Sequence, residues 1–151
     1  MTTLLLDPVA FKHTIDMFVE RLEGKKVDAV VGFEARGFIF GPPIALALGC
    51  AFVPLRKPKK LPGATIGVDY SLEYGSDRLE MHVDAVKAGA NVVLVDDLLA
   101  TGGTLGAGKA LMDKVGATVV ESLLVIELPA LGGRAKLSGV PVHVLVEMEG
   151  E

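Results

Sequence analysis

The chain has 151 residues, a net charge of −4, 50% hydrophobic and 5% aromatic residues. A chain of this length makes one domain over residues 1–151, burying roughly 70% of its unfolded surface, while the acidic balance and scarce aromatics exclude a nucleic-acid partner. The single cysteine, Cys50, excludes an internal disulfide, and an N-terminus lacking a basic region and a long apolar core carries no signal peptide, which together read as cytoplasmic or organelle-interior.

Asp7 before Pro8 predicts a helix start, with Phe11, Ile15, Phe18, Val19 and Leu22 on one face and Gly24 at its end. Val27 to Phe33 reads as a strand broken by Gly32. The segment Glu34-Ala35-Arg36-Gly37-Phe38 then opens a second helix through Ile44 to Leu48, with Arg36 presented at a strand end. Local sequence alone leaves open whether Arg36 binds a ligand or only pairs with Glu34 in solvent. Gly37 to Leu55 carries no charge, but Pro42-Pro43 and three glycines argue against a membrane span. After a short strand from Ala51 to Pro54 come four cations, Arg56, Lys57, Lys59 and Lys60, with two prolines among them. Such a run is either a solvated face or a patch that draws in a polyanion.

Tyr70 to Gly75 and Arg78 to Val83 alternate polar and apolar residues around Gly75-Ser76-Asp77, a hairpin pattern. Further on, a helix from Thr104 through Leu111 to Val115 contains Gly106 and Gly108, which cost helical stability and point to close packing. Strands over Val119 to Leu128 and Val142 to Val146 follow. Half-apolar composition with frequent glycine suits a buried parallel sheet. His13, His82 and His143 make no metal-ligand spacing with Cys50, and no nucleophile elbow occurs.

Between the hairpin and that helix lies the most informative stretch, VVLVDDLLATGGTL over residues 92–105. It reads as an apolar strand ending in Asp96 and Asp97, a loop of Ala100, Thr101, Gly102, Gly103 and Thr104, then a helix start. In an open α/β sheet, ligands bind beyond the carboxyl ends of the strands, where the two aspartates point. The glycine-bearing loop offers backbone N–H groups, two hydroxyls and the positive end of a helix, a cradle for a phosphate. It lacks the closing lysine of a P-loop and the G-x-G-x-x-G dinucleotide pattern. Carboxylates one step before a phosphate cradle suit a sugar phosphate, since they accept from a ribose diol.

This run closely resembles the phosphoribosyl-diphosphate signature of the type I phosphoribosyltransferases, most of all their adenine-specific branch. GFEARGF is similar to that family's pyrophosphate loop, SLEYG to its catalytic lid, and the cations after residue 55 to a segment that reaches the diphosphate, in family order along the chain. The resemblance implies a single-domain α/β fold with a mainly parallel central sheet flanked by helices and a flexible hairpin lid. It implies a cis peptide at Glu34-Ala35 and diphosphate contacts from Glu34, Ala35, Arg36, Arg56, Lys57 and Lys60. It gives Glu73 a proton exchange with the base and has Tyr74 close on the diphosphate. Leu128 falls beside the base, though core packing is an equal use for it.

The activity implied is purine salvage: adenine and phosphoribosyl diphosphate give AMP and diphosphate. Mg²⁺ would be held mainly by substrate and water rather than by protein ligands, and the family implies a homodimer. In that family the sequence continues further towards the N-terminus into a hood over the base, so a core without the hood is expected here. That expectation leaves two alternatives open: a subunit that binds phosphoribosyl diphosphate or AMP with little catalysis, and a transferase for another purine or a cytokinin base.

Overall fold

The computed structural model describes residues 1–72, 74–137 and 139–149. A short helix, α1 (Thr2–Leu5), which no sequence periodicity announces, precedes α2 (Pro8–Arg21). The Asp7 carboxylate caps α2, accepting from the Val9 and Ala10 N–H groups at 3.0 and 3.1 Å. Pro8 sits at the first helical position, where the proline has no N–H to lose. The expected apolar face turns inward, with Ile15, Phe18 and Leu22 buried.

Five strands form one parallel sheet: β1 (Ala29–Phe33), β2 (Ala51–Leu55), β5 (Asn91–Leu99), β6 (Thr118–Glu127) and β7 (Val142–Glu147), in the spatial order β2-β1-β5-β6-β7. Gly32 does not break β1 as the sequence suggested. It pairs with Pro54 on one side and Val95 on the other, and any Cβ there would fall within 2.8 Å of the Phe52 ring. Side chains alternate across the sheet with a period of two. Val30, Val93 and Val95 pack with Ile15, Phe18, Phe40 and Ile44 on the side of α2 and α3 (Gly37–Leu48). Val31, Phe33, Val92 and Leu94 pack with Leu105, Leu111 and Met112 of α4 (Gly103–Lys114). No helix among the described residues is long and apolar enough to cross a membrane.

Of the two helix glycines read as signs of close packing, one fits. At Gly108 a Cβ would run into the Phe33 ring, whereas at Gly106 it would meet the Lys136 carbonyl at an ordinary 3.5 Å. Across the sheet, Glu121 is fully buried on β6 and accepts from Arg21 Nε and Lys25 Nζ, both at 2.9 Å, tying the end of α2 to the sheet.

The hairpin β3 (Thr65–Ser71) and β4 (Ser76–His82) stands apart from the sheet, with Leu79 and Met81 in the α4-side core. Its turn comes earlier than expected: Ser71 pairs with Ser76 and Tyr70 with Asp77, so the reversal falls between Ser71 and Ser76. Asp77 is held within the ladder, accepting from Lys57 Nζ at 2.6 Å, and is therefore no turn residue.

The sheet order places the site. From β1 the chain passes through α3 to β2 on one side, whereas β5 continues through α4 to β6 on the other. The carboxyl ends of the paired strands β1 and β5 flank this reversal, the usual place for a ligand in such a sheet.

Candidate active site

Strand β5 runs two residues past the aspartates, which are therefore strand residues, not its end: Asp96 pairs with Leu124, and Leu98 and Leu99 pair with Ile126 and Glu127. Both carboxylates line a cavity of about 310 Å³ with Glu34, Ala35, Arg36 and Thr104. Asp97 is only 5% exposed, and Arg36 Nε lies 2.5 Å from its Oδ2. Arg36 therefore pairs with Asp97 of β5 and not with Glu34. Burial pushes the Asp96 carboxyl up to about 8, and the Asp97 charge adds to the rise against the hydrogen bond from the Asp97 N–H. Asp96 is half-buried, and a carboxyl raised in this way is primed for a hydrogen-bonding or cationic partner.

The loop after β1 contains a cis peptide between Glu34 and Ala35, as the sequence motif implies. It packs directly on β5, because a Cβ at Gly37 would come within 2.7 Å of the Val95 carbonyl. Glu34 turns towards the basic segment, accepting from the Lys57 N–H at 2.5 Å and from Arg56 Nη2 at 3.4 Å. Arg56 lies 5.9 Å above the Phe38 ring, and its Nε is buried without a partner among the described residues. Lys57 Nζ is engaged by Asp77 of the hairpin, and Lys60 is exposed. So the structure brings Arg56 and the Lys57 amide to the β1 loop, but not the Lys57 and Lys60 ammonium groups.

Beyond β5, Ala100 to Thr104 wraps a second cavity of about 100 Å³, also lined by Asp96, Leu98, Leu99 and Leu105. Gly102 carries a positive φ of 83° and stands at the cap of α4, whose first turn holds no acidic residue. The first N–H groups of a helix have no partner within it and can donate to an anion. The two cavities share Asp96 and Thr104. A molecule with an anionic group at each end and a diol between them fits this arrangement.

Three supporting residues did not stand out in the sequence. Gly133, in the 3₁₀ segment Gly133–Leu137, lies so close behind the loop that a Cβ there would collide with the Ala100 carbonyl, and a Cβ on Gly102 with the Gly133 carbonyl. Arg134 locks the segment by donating to both Glu127 oxygens at 2.7–3.0 Å. Lys136 lines a cavity of about 590 Å³ with Ser71, Leu72, Thr101, Gly103 and Thr104. The pair of glycines in LGGR was the available signal for Gly133. Leu128 follows β6 beside the loop, its N–H donating to the Leu99 carbonyl at 2.9 Å; it is half-buried and stands outside both core clusters. Tyr74 is 88% exposed at the hairpin tip, and Glu73 lies outside the described residues.

The family model for the phosphoribosyl transferase domain matches residues 2–139. Adenine phosphoribosyltransferase 3 of Arabidopsis thaliana is 64% identical over 147 residues, 97% of this chain and 80% of that protein. The crystal structure of adenine phosphoribosyltransferase from Thermoanaerobacter pseudethanolicus superposes with a TM-score of 0.94 at 48% identity, covering 97% of this chain and 86% of that one. The Saccharomyces cerevisiae adenine phosphoribosyltransferase, crystallised with an imino-altritol bisphosphate and adenine, gives 0.90 at 45% identity, covering 94% and 82%. With two adjoining cavities at the sheet's reversal and these likenesses over nearly its whole length, the chain belongs to the phosphoribosyl transferase family, among the adenine phosphoribosyltransferases.

Proposed function

We propose that this chain acts in purine salvage, transferring the 5-phosphoribosyl group from phosphoribosyl diphosphate to adenine and releasing AMP and diphosphate. The observation that carries the reading is the pair of adjoining cavities sharing Asp96 and Thr104, one against a helix start and the other against Arg36. The helix-start loop receives the 5′-phosphate through the N–H groups of Gly102, Gly103 and Thr104 and the hydroxyls of Thr101 and Thr104. Asp96 and Asp97 accept from the ribose diol. Arg36 and Arg56, with the amides around Ala35, hold the diphosphate, and Lys57 and Lys60 join them when the basic segment closes. Leu128 lies on the side of the base.

Cleavage of the bond from C1 of the ribose to the diphosphate oxygen leaves positive charge on the sugar and negative charge on the leaving group. The base nitrogen attacks C1 and gives up its proton, for which Glu73 is the proposed acceptor; Tyr74 closes over the diphosphate. Holding both partners in line supplies roughly 7–11 kcal/mol in favourable cases, and proton exchange adds a factor of about 10²–10⁴. Closure of the hairpin excludes water that would otherwise capture the sugar.

No cluster of three or more His, Cys, Asp or Glu capable of holding a metal occurs among the described residues. Two adjacent carboxylates facing the site nevertheless suit Mg²⁺, which keeps waters and substrate oxygens and needs only one or two carboxylates. Bound with the diphosphate, the ion would neutralise charge on the leaving group, with Asp96 and Asp97 accepting from its water shell. A homodimer and a cytoplasmic location belong to the same proposal, and sedimentation equilibrium tests the first. The decisive experiment is AMP formation from adenine, phosphoribosyl diphosphate and Mg²⁺, with hypoxanthine, guanine and a cytokinin base as competitors. AMP formation that adenine dominates is expected; no product from any base overturns the reading.

A further inference from the structure

Lys136 lines a cavity beside the loop but has been given no ligand so far, and its backbone is fixed on three sides. Its backbone lies against the first turn of α4, where a methyl at Gly106 would sit 3.5 Å from the Lys136 carbonyl and 3.6 Å from its Cβ. Leu137 is anchored in the core, Gly133 abuts the loop, and Arg134 is clamped to Glu127. From there the side chain runs along the helix start, so that a methyl at Gly103 would lie 3.9 Å from its Nζ. The ammonium group thus stands between the 100–104 loop and the end of β3, lining one cavity with Ser71 and Leu72 and another with Asp69 and Tyr70.

Lys136 is exposed, and the one carboxylate lining its cavities among the described residues, Asp69, is paired with Arg78, so the ammonium stands in a mildly unfavourable place for a cation. The start of a helix carries partial positive charge, the first turn of α4 has no acidic residue, and Lys136 makes no ion pair among the described residues. A dianion seated on the loop reverses the balance, because the helix start and the ammonium then both face negative charge. We infer that Lys136 is a binding residue for the 5′-phosphate, its ammonium donating to a phosphate oxygen on the side of the loop that faces the hairpin. The inference rests on the proposed function, since it takes the loop to hold the sugar phosphate.

Lys136→Met keeps the stem that covers Gly106 and removes the charge; Lys136→Arg restores it. The probes are ribose 5-phosphate, AMP and inorganic diphosphate, each titrated against the wild-type chain and both variants. In Lys136→Met, ribose 5-phosphate and AMP should bind about tenfold more weakly, as for loss of a charge-assisted hydrogen bond. Diphosphate affinity and kcat at saturating phosphoribosyl diphosphate should stay within about a factor of two. Lys136→Arg should recover most of the loss, and the ligand-free Lys136→Met protein should melt no lower than wild type, because a repulsion has been removed. Equal binding of ribose 5-phosphate to wild type and Lys136→Met overturns the inference alone, as does a matching loss for diphosphate. A wild-type chain that takes neither ribose 5-phosphate nor AMP overturns the functional reading and this inference with it.

Discussion

Two glycine-bearing turns face the same space and are held in opposite ways. The 100–104 loop is backed by the β5–β6 ladder, by Gly133 in backbone contact behind it and by Leu105 in the core. The hairpin turn lies beyond the last β3–β4 pair, Ser71 with Ser76, and there Leu72 is half-exposed and Tyr74 almost wholly so. The hairpin strands themselves are fastened, by the Arg56–Glu80 backbone bridge, by Lys114 Nζ to the Gly67 carbonyl at 2.9 Å and by Lys57 to Asp77 one pair from the turn, so that the turn alone projects. Donors that bind a fixed anion gain from being preorganised. A segment that must admit substrate and then shut is drawn from the less stable end of the structure. The proposed function assigns binding to the first turn and closing to the second.

The separation is sharpest in kinetics. Glu73→Gln on the hairpin should lower kcat by about 10²-fold or more while leaving the phosphoribosyl diphosphate KM nearly unchanged, the loss expected for a general base. Asp97→Ala within β5 should do the reverse, raising that KM about tenfold through loss of the proposed diol acceptor and of the Arg36 partner. Parallel changes in both constants for both variants would break the comparison. A pair of glycine substitutions tests the same contrast through the backbone. A methyl at Gly133 has nowhere to go, so Gly133→Ala should displace the loop and cost about 10²-fold in kcat/KM. At Gly75, φ is +94° but nothing lies within 4 Å, so Gly75→Ala costs only the backbone penalty of about 1–2 kcal/mol on the hairpin. Its effect on kcat/KM should stay below that of Gly133→Ala.

The loop region carries a stability cost of its own. Because folding raises the Asp96 carboxyl above its ordinary value, its stabilising form is the protonated one. That contribution is complete below about pH 4 and is lost as the pH rises towards 8. Asp96→Asn should therefore raise the Tm of the ligand-free protein by a few degrees at pH 8 and by little at pH 4, while weakening substrate binding. A variant that melts below wild type at pH 8 would show that Asp96 is a structural residue rather than a strained ligand group.

The parts of this design that were legible in the sequence are those made of local pattern. Asp7-Pro8 marked α2, the apolar run marked β5, and the glycine loop before Leu105 marked the start of α4. What was misread depended on partners distant in sequence. Gly32 looked like a break because nothing local shows that the Phe52 ring fills the space a side chain would need. Gly75-Ser76-Asp77 looked like the turn because nothing local shows that Asp77 is held by Lys57, twenty residues earlier. Arg36 could be matched with Glu34 by proximity in the chain, yet the pairing of β1 with β5 delivers it to Asp97. Gly133 and Lys136 owe their places to a 3₁₀ segment without hydrophobic periodicity, so only the fold connects them with the loop.

The smallest expected effect tests how loosely the hairpin is held. The Lys57 hydrogen bond, and after it the Arg78 N–H, keeps the Asp77 carboxyl below the usual range, and Asp77 in turn raises Lys57. A carboxyl lowered by folding stabilises above its ordinary value near 4, and that contribution fades as the pH falls through the lowered one. Lys57 is 57% exposed, so the pair is worth at most about 1 kcal/mol and is screened by salt. Asp77→Asn should therefore shift Tm by no more than about 4 °C, and by less at high ionic strength. Removing Asp77 also frees the Lys57 ammonium, so the KM for phosphoribosyl diphosphate should fall slightly while the KM for adenine stays put. A drop in Tm as large as that of a core substitution would mean that the hairpin is anchored as firmly as the phosphate loop. The difference between the two turns would then lie in chemistry alone and not in stability.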